Sequence, residues 1–187
     1  MKKHLVYFLS FAMIGALLMG CKHEKQINVA SLSIENDDQN EKDTTIYGRC
    51  ADAAMHTFSL VDAKGDTIDY IIDDAEGVVQ GGLYQNDKMA VIEETVDGEQ
   101  YATKVINITS LMGRWASLDK NFELKDGGVV ESHREKESKT YTSWKIFNGK
   151  LILAPDTFDI NMLGVDSLYL ENKDGIFFFT RQIESRK

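Results

Sequence analysis

The 187 residues carry 21 Lys and Arg against 30 Asp and Glu, a formal net charge of −9. So acidic a body is repelled by phosphate backbones and anionic headgroups, which argues against nucleic acid as a partner. Apolar residues make up 43% of the chain, enough for a core, and only two cysteines are present.

In chain order, Met1-Lys2-Lys3-His4 is a basic start, and the apolar run from Leu5 to Leu18, broken only by Ser10 and Gly15, is too short to span a bilayer comfortably. That layout predicts a secretory signal over residues 1–20. Leu18-Met19-Gly20-Cys21 resembles the lipobox of bacterial lipoproteins. The resemblance implies cleavage before Cys21 and lipidation of its thiol. Each buried acyl methylene contributes about 0.8 kcal/mol, so the predicted state is a chain anchored to a membrane without a spanning helix. Lys22-His23-Glu24-Lys25 lacks the aspartate beside the cysteine that resembles an inner-membrane retention signal, so the expected address is the outer membrane of the cell envelope, on either face. Cleavage also removes Lys2 and Lys3, leaving the mature chain two charges more acidic. Cys50 is then the one cysteine beyond the anchor; it admits no intramolecular disulfide, and it sits in an apolar strand pattern as a small buried hydrophobe.

Residues 21–44 turn polar, and Glu35 to Asp43 contain no apolar side chain. A segment of this kind cannot bury enough surface to offset its ordering entropy, so a flexible tether is predicted.

From there on the sequence reads as strands and turns. Asp62-Ala63-Lys64-Gly65-Asp66, Asp97-Gly98, Asp126-Gly127-Gly128, Asn148-Gly149 and Asp174-Gly175 are hairpin signals. Between them, Ile68, Tyr70 and Ile72, Phe122 and Leu124, Trp144 and Ile146, Leu168 and Leu170, and Phe177 and Phe179 alternate with period two, one face in and one out. The predicted class is all-β, in two small antiparallel barrel-like modules. Residues 45–108 carry five or six strands, with a Greek-key, OB-like barrel as one reading; residues 111–183 carry about eight. Modules this small bury a low share of their surface and are expected to pack on one another.

Leu111-Met112-Gly113-Arg114-Trp115, followed by Phe122-Glu123-Leu124, Tyr141 and Trp144, Leu151 and Leu153, Leu168 and Leu170, and a terminal Thr180-Arg181, resembles the lipocalin-like domains of lipoproteins from gut-type Gram-negative bacteria. The resemblance covers residues 111–183. It implies an eight-stranded meander, with Gly113 turning the chain into the first strand and Arg181 lying over the Trp115 indole to close one end. An eight-stranded barrel is only just wide enough to be filled by its own side chains.

Histidines 23, 56 and 133 stand far apart, and no metal-ligand or nucleophile spacing accompanies them. Asp73-Asp74 and Glu93-Glu94 are neighbours that a strand sends to opposite faces, so neither pair converges as general acid–base work needs. No enzyme activity, cofactor or metal is expected. The candidate contact residues are aromatic: Tyr141, Trp144, Tyr169 and Phe178, any of which, left on a mouth or an outer face, could stack on a ligand or a partner. The predicted function is that of a non-enzymatic anchored lipoprotein that binds a small apolar ligand or serves as an envelope accessory protein. The alternative is a purely structural interaction module without a ligand.

Overall fold

The computed structural model describes residues 41–72, 75–134 and 140–183. The predicted signal, Cys21, the tether up to residue 40 and the Asp73-Asp74 pair lie outside them. The described chain is all-β, with fourteen strands and one short helix.

The first six strands are β1 (Ile46–Ala53), β2 (Thr57–Asp62), β3 (Thr67–Ile72), β4 (Val79–Gln80), β5 (Lys88–Val96) and β6 (Glu99–Asn107). Their order is β3-β2-β1-β5-β6, and a parallel pairing of Ile71 with Tyr101 and Ile72 with Ala102 joins β3 to β6 and closes five strands into a barrel. Because β5 returns beside β1 after three hairpin-connected strands, the connectivity is a Greek key. Its core holds Cys50, Phe58, Leu60, Tyr70, Met89, Val91 and Val105, with Phe58 stacked on Tyr70 at 5.2 Å.

The next eight strands are β7 (Gly113–Ala116), β8 (Asn121–Lys125), β9 (Val129–Ser132), β10 (Trp144–Phe147), β11 (Lys150–Leu153), β12 (Asp156–Leu163), β13 (Ser167–Asn172) and β14 (Gly175–Arg181). They form an up-and-down meander in which β14 returns to pair with β7, through Thr180–Ala116 and Arg181–Trp115. Among the described residues the seam between β9 and β10 carries one bridge, Val129 to Ser143. Trp144 tightens it by donating its indole N–H to the Lys125 carbonyl (2.7 Å).

The two barrels share a boundary. Met89, Val91 and Val105 face the first core while Ala90 and Ile106 face the second, so β5 and β6 are buried on both sides at that level. This explains the unbroken apolar stretch Met89-Ala90-Val91-Ile92, since a strand covered on both faces has no reason to alternate. Polar groups at the boundary are satisfied across it: Gln80 Oε1 accepts from the Leu163 amide (2.7 Å), and the Gly81 amide donates to the Leu163 carbonyl (3.0 Å). Gly81 has φ +84, and a Cβ there would lie 2.8 Å from the Leu163 side chain. The first barrel also spans the open seam of the second. Tyr47 donates to the Ile146 carbonyl on the β10 side (2.6 Å), and Lys88 pairs with Asp126 beyond β8 (2.6 Å).

The junction is the helix α1 (Ile108–Leu111). Its N-cap Asn107 is buried: the side-chain oxygen accepts from the Ser110 amide, and the side-chain nitrogen donates to the Gly82 carbonyl and to Asp87. At the other end of the described chain, Asn148 binds four consecutive residues ahead of β1. It accepts from the Thr44 amide and hydroxyl, donates its amide to Asp43 and Thr45 oxygens, and donates its side-chain nitrogen to the Lys42 carbonyl.

Candidate binding surface

Period-two alternation along β14 divides its aromatic run. Phe177, Phe179 and Arg181 turn inward, while Ile176, Phe178 and Thr180 turn outward. The inward set belongs to a packed interior. Phe122 meets Tyr141 and Phe179 edge to face at 5.3 and 5.2 Å, Tyr141 meets Phe158 at 6.2 Å, and Phe158 meets Phe177 at 5.6 Å. Such T-shaped contacts are the geometry aromatic quadrupoles favour. Rings reach one another from β8, β12, β14 and the segment before β10, so the barrel's own side chains occupy its lumen.

One end of that lumen is set by three residues. Trp115 is fully buried and donates its indole N–H to the Leu111 carbonyl (2.8 Å). Arg181 lies over the indole at 4.1 Å and donates to the carbonyls of Val165 (2.7 Å), Met112 (2.8 Å) and Ser110. Burial lowers the Arg181 pKa. Gly113 has φ +118, and a Cβ there would stand 2.7 Å from the Arg181 Nη1. The bare glycine is therefore needed twice, for its backbone angle and for the room it leaves the guanidinium.

Of the four aromatic candidates, the structure brings two together and removes two. Tyr141 and Trp144 are buried in the core; Trp144 shares an inward face with Ile146, and Tyr141 is held among Phe122 and Phe158. Neither is available at a mouth or on an outer face. Tyr169 and Phe178 are direct cross-strand partners on the outside of β13 and β14, with ring centres 4.7 Å apart. Met162 pairs with Tyr169 from β12 and completes a row across three strands, with Met162 and Phe178 each about half exposed. Ile176 and Leu118 extend the apolar surface, and an open groove runs between Leu118, Ile176 and Phe178 with Ala116, Thr180 and Gln182 beside it. The row is rimmed by polar groups such as the Asn161–Glu171 hydrogen bond (2.6 Å).

Among the described residues the titratable groups are dispersed, with one exception. Cys50 is buried in the first core, and burial raises its thiol pKa, reinforced by Asp52 and Asp87. Glu93 accepts a hydrogen bond from Tyr70 (2.7 Å). Asp62 accepts from the amides of Lys64 and Asp66, which accounts for both aspartates of that turn. The exception is Glu123, Glu131 and His133, which meet on the outside of β8 and β9. The sequence hints at them only as two i, i+2 pairs on the arms of one hairpin, Glu123 with Lys125 and Glu131 with His133.

Comparison with protein families finds a match to the lipocalin-like family over residues 107–182, which covers α1 and the whole second barrel. The match supports a lipocalin-like domain over that region, and the eight-stranded meander is consistent with it. Domains of this family are in general binding proteins without enzymatic activity. Neither the curated proteins nor the solved structures include a match to the chain.

Proposed function

We propose that this protein is a lipid-anchored, non-enzymatic accessory protein of a bacterial envelope, and that its lipocalin-like domain binds a partner protein through its outer surface and holds no apolar ligand inside. The observation that carries this reading is the filled lumen: Phe122, Tyr141, Phe158, Phe177 and Phe179 occupy with their own rings the volume a carrier would keep for a guest. Recognition then falls to exposed groups. The Met162–Tyr169–Phe178 row, apolar at its centre and polar at its rim, has the composition of a protein-contact surface. The basic, apolar and cysteine pattern of residues 1–21 supports the anchored address.

Two measurements test the reading. The first is native mass spectrometry of the protein recovered from its own cells; the expected spectrum holds no stoichiometric apolar molecule, and finding one overturns the surface-binding reading. The second is site-specific photocrosslinking in cells. A crosslinker at position 178 is expected to give a discrete protein adduct that one at Glu94, on the first barrel, does not give; equal labelling from both positions removes the row from the argument. The address is tested by replacing Cys21 with Ala, which should move the protein from the membrane fraction to the soluble fraction.

A further inference from the structure

Glu123 and Lys125 point outward from β8, two residues apart. Glu131 points outward from β9, directly opposite Glu123 in the antiparallel register. The His133 amide donates to the Asn121 carbonyl at 2.8 Å, which carries the same register past the end of the strand and keeps His133 on the side of Glu131. The imidazole Nε2 therefore stands 3.2 Å from a Glu123 carboxylate oxygen, and one donor atom from each of Glu123, Glu131 and His133 lies within 4.8 Å of the other two. A cation already sits among them. The Lys125 ammonium contacts the Glu131 carboxylate and stands 3.7 Å from that of Glu123. Arg114, opposite Glu123 on β7, donates through Nε to Asn121 (2.9 Å).

We propose that this hairpin face is a binding site for a divalent transition metal of the zinc class, with Glu123, Glu131 and His133 as ligands and Lys125 as the tethered cation that holds the carboxylates together until the metal displaces it. The donor set, one imidazole nitrogen and two carboxylate oxygens, suits Zn²⁺ and its borderline neighbours; Ca²⁺ and Mg²⁺ favour shells made of oxygen alone. Donors bonded at about 2.1 Å in a tetrahedral shell lie about 3.4 Å from one another, so rotation of the two glutamate side chains brings the present spacing to a coordinating one. Three protein ligands at an exposed surface leave the fourth position to water, the arrangement of an open site. Occupation moves the ammonium into solvent and breaks no covalent bond. The inference is independent of the anchored-accessory reading above.

The test is calorimetric titration of the full chain, free of any metal-binding tag, with ZnCl₂ alone. The wild type is expected to bind one equivalent saturably, and His133→Ala and Glu131→Gln are each expected to weaken that binding by about tenfold or more, as loss of one of three ligands implies. Lys125→Met removes the competing charge and is expected to tighten it by about tenfold. A salt-bridge network with no metal role predicts no saturable Zn²⁺ binding in either the wild type or Lys125→Met, and that result overturns the proposal. It is also overturned if His133→Ala binds as tightly as the wild type, because the ion then sits elsewhere, or if Lys125→Met binds more weakly. Near-ultraviolet circular dichroism of each variant shows whether the barrel is intact, so a loss of binding is scored only on folded protein.

Discussion

Arg181 reaches Trp115 from the opposite end of the second barrel's sequence: its guanidinium lies 4.1 Å above the indole that β7 supplies, while Arg181 itself ends β14. The contact ties the first strand of the meander to the last. The same group serves three main-chain carbonyls, those of Ser110, Met112 and Val165. Arg181→Met is therefore expected to cost about 3 kcal/mol, the sum of a cation–π contact and charge-assisted bonds left without a donor. Arg181→Lys should recover only part of this, because an ammonium cannot reproduce the planar fork. Urea unfolding of both variants checks the order; equal stability of Arg181→Lys and wild type removes the fork from the argument.

Gly113→Ala places a methyl group 2.7 Å from the Arg181 Nη1 at a backbone φ of +118. The expected loss is about 1–3 kcal/mol. Part of that loss comes from the clash with the guanidinium, so the double variant Gly113→Ala/Arg181→Met should be more stable than the sum of the single effects predicts. Strict additivity in a double-mutant cycle would assign the whole cost to the backbone angle.

Phe178 and Phe179 are neighbours with opposite fates. Phe179 is buried against Phe122, and Phe179→Ala is expected to cost about 3–5 kcal/mol. Phe178 is exposed beside Tyr169, and Phe178→Ser should cost about 1 kcal/mol or less, the scale of an exposed cross-strand pair. Thermal unfolding separates the two. A large loss at position 178 would mean that the row belongs to the folded core and is not free for contact.

Tyr70 is held protonated. Burial raises its phenol pKa above the ordinary value, and a hydrogen bond to Glu93 and the charge of that carboxylate raise it further. A group whose pKa is higher in the folded state gives stability that is complete below its unfolded value and falls as pH rises past it. The loss should thus begin near pH 10, the ordinary tyrosine value, and grow above it. Tyr70→Phe is expected to lower stability by about 1 kcal/mol at neutral pH through the lost hydrogen bond, and to flatten the alkaline decline. Urea midpoints between pH 7 and pH 11 check this; parallel declines in the two proteins would assign the alkaline loss to other groups.

The class and the meander can be read from the sequence because their signals are local. Asn148-Gly149 and Asp174-Gly175 each join two runs of period two, and a hairpin needs little else. The parallel closure of β3 on β6 and the two-residue strand β4 leave no such mark, since each depends on partners far along the chain. The exposed aromatic row is half legible for a related reason. Alternation says that Phe177 and Phe179 share a face and that Phe178 takes the other, yet it does not say which face is wet. Trp144 and Tyr141 are aromatic in the same way as Tyr169, and the choice between core and surface is made by Phe122 and Phe158 arriving from elsewhere in the fold. The meeting of Glu123, Glu131 and His133 likewise requires the register of β8 against β9, a one-residue slip of which would separate them.

The grip of Asn148 on Lys42, Asp43, Thr44 and Thr45 ties the residues ahead of β1 to the β10–β11 turn of the other barrel. One asparagine side chain and its own amide make all of these bonds, so whatever loosens that turn frees the four residues together.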